Sequence, residues 1–133
     1  MTTEPKFEKV MIIDDNKIDL YVNAQVITRN NFGKNVLSFS AATDAICYLQ
    51  TNSRDFLKLP KIILVDIYMP GMSGFEFMEA YDKLPLTLKN FCRVYIISST
   101  IDKQDISRAN SDVNVIAFQE KPISREFLNE ISA

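Results

Sequence analysis

The segment IILVDIYMPGMSG, residues 62–74, holds the reading of this chain. It begins as a short, continuously apolar, β-branched run, the pattern of a strand covered on both faces. At Asp66 it stops on a carboxylate and at once breaks into Met69-Pro70-Gly71. A charge at the end of a buried strand is costly unless something pairs with it. Asp66 therefore asks for a partner that the segment does not supply.

Four further runs of the same kind flank it: VMII at 10–13, VLSF at 36–39, VYII at 94–97 and VIAF at 115–118. Apolar residues recur at helical spacing between them, at Leu20, Ala24 and Ile27, at Ala42, Ala45, Ile46 and Leu49, and at Phe75, Met78 and Tyr81. Phe127, Leu128 and Ile131 repeat the pattern near the end, after Ser124 as a helix N-cap. Strand and helix alternate without repeats or a long linker, which predicts a parallel five-stranded α/β sheet with helices on both faces. Two segments read weakly. LPLTLKNFC, 84–92, contains Pro85 and mixed spacing, so a loop with at most one helical turn is expected there. KQDISRANS, 103–111, offers only Ile106 and Ala109 as anchors, so its helix is expected to be lightly held.

Composition excludes more than it includes. The chain has 133 residues, 47% of them apolar, enough for one core. Fifteen basic against 17 acidic residues give a net charge of −2, and no basic run is present to track nucleic acid. Histidine is absent, which removes Ser-His-Asp and Cys-His chemistry, His-ligated zinc and any phosphohistidine on this chain. Cys47 and Cys92 stand far apart and are expected to be ordinary buried thiols. The first residues are polar and no apolar run is long enough to cross a bilayer, so a cytoplasmic protein without membrane contact is expected.

In an open parallel sheet, ligands bind beyond the carboxyl ends of the strands. The first run is followed by Asp14 and Asp15, the third by Asp66, the fourth by Ser98 and Ser99, and the fifth, two residues on, by Lys121-Pro122. The second ends only in Ser40 and Ala41, as suits an edge strand. Carboxylates brought together repel: unit charges about 4 Å apart cost roughly 4 kcal/mol at an effective dielectric near 20. Lys121 offsets part of this, and a set of hard oxygen ligands suits Mg²⁺. With such cations beside it, a carboxylate can attack phosphorus and form an aspartyl-phosphate.

The four motifs IIDDN (12–16), LVDIYMPGMSG (64–74), IISS (96–99) and EKP (120–122) together resemble the receiver domain of bacterial two-component response regulators. The resemblance spans nearly the whole chain. It implies a flavodoxin-like sheet of strand order 2-1-3-4-5, formed by one domain over 1–133 with its core at about 8–132 and no output domain. It implies Asp66 as phosphoacceptor, Asp15 and Asp66 as Mg²⁺ ligands with the Tyr68 backbone carbonyl, and Asp14 assisting through water. Lys121 would pair with the phosphoryl group, Ser98 would be the switch hydroxyl and Phe118 the switch aromatic, with a cis bond before Pro122 and the tight turn served by Gly71 and Gly74. A histidine kinase or histidine phosphotransfer protein would be the donor. A downstream protein would bind the face made by the fourth helix, last strand and fifth helix. Such a chain is a switch rather than an enzyme, catalysing at most its own phosphorylation and dephosphorylation.

Departures from the family pattern are visible. Ser98 stands where threonine is usual, SDVN at 111–114 replaces a small Gly-Ala pair, and bulky Tyr68 stands where attacking water would pass, which predicts slow self-dephosphorylation. Taken singly, Asp14-Asp15 also reads as a helix cap, Ser98 as a backbone partner and Phe118 as plain core. A phosphorylation-independent binding module on the same fold is the rival function; the intact set Asp14, Asp15, Asp66 and Lys121 opposes it. An aspartate-based phosphatase is opposed by Tyr68, where such enzymes carry a second aspartate.

Overall fold

The computed structural model describes residues 4–99 and 102–133. Its strands are β1 (Phe7–Ile13), β2 (Gly33–Phe39), β3 (Ile62–Asp66), β4 (Arg93–Ser98) and β5 (Val115–Glu120). Its helices are α1 (Lys17–Arg29), α2 (Ala42–Thr51), α3 (Gly74–Asp82), α4 (Leu86–Phe91), α5 (Lys103–Ser111) and α6 (Arg125–Glu130). All strand pairs are parallel and the order is β2-β1-β3-β4-β5. This is the flavodoxin-like arrangement expected.

Both faces of the sheet are covered, and for that reason β3 is buried at every position. On one side Met11, Ile13, Ile63, Val65 and Ile96 pack with Ala45 and Leu49 of α2, Phe77 and Tyr81 of α3, and Ala109 of α5. On the other, Val10, Ile12, Leu64 and Ile97 pack with Ile27 of α1 and with Phe127 and Leu128 of α6. Alternate residues of a strand point to opposite faces, so a continuous apolar run is what two covered faces require. Of the strands only β3 is buried throughout; β1 and β4 are buried except at Glu8, Lys9 and Arg93 near their starts, and the edge strands β2 and β5 are half-buried or exposed along much of their length.

Several expectations need correction. Residues 86–91 form the helix α4 rather than a loop. Pro85 stands at its N-cap, where a missing N–H costs nothing, and Leu88 is fully buried, so one anchor suffices for a short helix. The helix over 103–111 is therefore α5 and the closing helix α6. Cys92 is buried but Cys47 is exposed, because it lies beside the stripe of Ala42, Ala45, Ile46 and Leu49 rather than on it. In α3 the buried positions are Phe77, Met78 and Tyr81, whereas Phe75 is half-buried and lies 4.2 Å beneath the Arg108 guanidinium of α5.

Candidate functional site

Register brings the strand ends level. Ile13 pairs with Val65, Asp66 with Ile97, and Ser98 with Glu120, so Asp14, Asp66, Ser98 and Lys121 emerge on one rim. The Lys121 N–H donates to the Ser98 carbonyl at 2.9 Å, tying the end of β5 to that of β4. The Lys121–Pro122 bond is cis.

One ammonium faces three carboxylates there. Lys121 Nζ makes a close ion pair with Asp14, lies 3.0 Å from Asp19 and 3.5 Å from Asp66. Asp14 is 1% exposed and Asp66 6%, whereas Asp15 faces solvent. Ligand oxygens of Asp14, Asp15 and Asp66 all lie within 4.8 Å of one another. A set of three hard oxygen donors at that spacing, two of them buried, fits a small divalent cation such as Mg²⁺.

The electrostatics show the strain of this crowding. Burial pushes the Asp66 carboxyl up to about 6; Lys121 opposes the rise and Asp14 adds to it. Burial would lower the Lys121 ammonium, but hydrogen bonds to Asp14 and Asp19 and the charge of Asp66 outweigh it and raise it. The lysine is thus held charged, while burial keeps Asp66 less acidic than an ordinary carboxyl.

Local chemistry holds these groups in place. Asn16, not the aspartate pair, caps α1: its side chain accepts from the N–H groups of Ile18 at 2.9 Å and Asp19 at 3.1 Å. Asp14 Oδ1 accepts from Asn16 N–H at 3.0 Å, which leaves Oδ2 to Lys121. After β3, Gly71 takes φ +80°, a conformation other residues adopt only with strain. Gly74 N–H donates to the Ile67 carbonyl at 2.7 Å, and Ser73 and Glu76 form a capping box that starts α3.

Around this centre, Ser98 is buried at the end of β4. Phe118 is half-buried against the core on the α2–α3–α5 side. The Tyr68 side chain is exposed and its hydroxyl donates to the Asp105 carboxylate of α5. Asp19, Asp105 and Asn23 had drawn no attention in the sequence. Asp19 reads there as an ordinary acid in a helix first turn, favoured by the helix dipole. Its one signal is position, a turn beyond Asp14-Asp15 and so on the same rim.

A sequence profile described as the response regulator receiver domain matches residues 10–132. No curated protein matches the chain in sequence. Among solved structures, a two-component response regulator from Cytophaga hutchinsonii is 28% identical, with a TM-score of 0.87 over 94% of this chain and 93% of that one. A response regulator receiver protein from Dyadobacter fermentans is 31% identical, with a TM-score of 0.81 over 92% and 96%. A receiver domain protein from Clostridium thermocellum shares the fold at 20% identity, TM-score 0.73, over 92% and 89%.

Proposed function

The chain belongs to the response regulator receiver domain family, and from that premise we propose that it is a phosphorylation-operated switch whose acceptor is Asp66. Receiver domains of this family act in two-component signalling and typically bind Mg²⁺. The observation that carries the reading here is the shared ammonium: Lys121 stands between Asp14 and Asp66, beside a triad of carboxylates spaced for a metal.

In this reading Asp15 and Asp66, with the Tyr68 carbonyl, would hold Mg²⁺, and Asp14 would assist through water. The metal, when bound, neutralises phosphoryl oxygens. Asp66 attacks the phosphorus of a phosphohistidine on a histidine kinase or phosphotransfer protein, and Lys121 turns from Asp14 to the transferred group. Ser98 then donates to the new anion and Phe118 rotates inward, which biases the face of α5, β5 and α6 toward a downstream protein. The chain modifies itself and turns over no separate substrate.

Acetyl phosphate with Mg²⁺, followed by intact mass, tests the proposal. The wild type is expected to gain one phosphoryl group and Asp66→Asn none. Phosphorylation of Asp66→Asn, or its absence from the wild type, would overturn it.

A further inference from the structure

A cavity of about 280 Å³ lies beside the acceptor site, lined by Asp19, Val22, Asn23, Ser99, Lys121 and Pro122. Asn23 is the unusual member. It is 3% exposed, and it contributes a polar side chain to the cavity wall. An amide at a cavity wall offers a polar occupant both a donor and an acceptor. Asp66 does not line this cavity. Lys121 borders both, with Asp66 3.5 Å and Asp19 3.0 Å from its ammonium.

Resting on the phosphoacceptor role of Asp66, we propose that this cavity receives the leaving group of the phosphodonor and that Asp19 selects donors whose leaving nitrogen is cationic before transfer. Once Lys121 turns to the incoming phosphoryl group, the Asp19 carboxylate is left facing the cavity without its ammonium. A phosphoimidazole protonated on its distal nitrogen presents a positive N–H there, which Asp19 accepts. Asn23 offers the ring a further polar contact, and Val22 and Pro122 offer apolar walls. As the bond from Asp66 Oδ to phosphorus forms, the phosphorus–nitrogen bond breaks and its electron pair returns to nitrogen. The ring departs as neutral imidazole, keeping its N–H. An acyl phosphate departs instead as an anionic carboxylate, which Asp19 repels.

The test compares three small donors on the full chain at saturating Mg²⁺: phosphoramidate, whose protonated nitrogen leaves as ammonia, phosphoimidazole, which leaves as imidazole, and acetyl phosphate, whose leaving group is acetate. Rates of phosphoryl gain are read by intact mass. Removing one nearby charge in Asp19→Asn is expected to lower the ratio of phosphoramidate to acetyl phosphate rates about tenfold. Asn23→Leu, which fills the cavity without removing charge, is expected to slow phosphoimidazole while leaving phosphoramidate within about twofold of wild type. A donor ratio in Asp19→Asn within about twofold of wild type, or a raised one, overturns the inference. Asp19→Ser gives the same reading should the first variant fold poorly. Failure of all three donors to modify wild-type Asp66 would instead overturn the phosphoacceptor role.

Discussion

The Tyr68 hydroxyl donates a hydrogen bond to the Asp105 carboxylate, joining the loop that follows β3 to the first turn of α5. The residues between which it runs are 37 apart in sequence. It matters because α5 buries little of itself: Ala109 is its one fully buried residue and Ile106 is half-buried. Arg108 adds a stacking contact over Phe75 and a long pair to Glu79 at 3.9 Å, both at the surface. A helix so shallowly packed can shift when the loop after β3 does.

Tyr68→Phe removes that hydrogen bond and keeps the ring. An exposed hydrogen bond to a charged group is worth about 1 kcal/mol, so backbone amides of 103–111 are expected to exchange with solvent roughly fivefold faster. Amides of β1 and β3 should keep their protection. Equal acceleration in α5 and the central strands would mean a global loss of stability rather than release of one helix.

Asp66→Asn is expected to stabilise the metal-free protein. The folded carboxyl sits at about 6 against an ordinary 3.8, so between those values the folded state binds the proton that the unfolded state has lost. Stability therefore falls as pH rises through this window, and the penalty is fully present above it. Allowing for solvent screening, removing the charge should raise unfolding free energy at pH 7.5 by about 1–2 kcal/mol, with the gain shrinking toward zero near pH 4. Urea denaturation at both pH values checks the sign. Mg²⁺ should stabilise the wild type at pH 7.5 and the variant much less.

Gly71→Ala and Gly74→Ala separate two uses of glycine. A Cβ at Gly71 meets nothing within 4 Å, but φ is +80°, so the cost is conformational, about 1 kcal/mol. A Cβ at Gly74 would lie 2.8 Å from Ile67 Cα and would overlap the Asp66 carbonyl, and backbone cannot step aside. That change is expected to cost about 2–4 kcal/mol and to displace Asp66. Chemical denaturation of the two variants, alongside their loading by acetyl phosphate, distinguishes the cases.

Much of this architecture was open to inspection in the linear chain. IILV at 62–65 and VYII at 94–97 could only be strands with both faces covered, because no solvent-facing position interrupts them. Asp14, Asp66 and Lys121 followed from their places just beyond such runs, since parallel strands deliver their carboxyl ends to one rim. Where the spacing was ambiguous it misled. The proline at 85 argued for a loop and instead began a helix, because one buried leucine, Leu88, outweighed the mixed pattern around it. Residue type alone places Cys47 in the core, although its position on α2 points it outward.

Local periodicity and strand-end chemistry thus gave the element order and the acidic rim, because both depend on neighbours a few residues apart along the backbone. Which acids share the lysine is a different matter. Asp19 meets Lys121 across 102 residues of chain, and Tyr68 meets Asp105 across 37. No spacing rule encodes those encounters; they arise when the packed sheet sets the first turns of α1 and α5 beside the rim, and there the charges find one another in space.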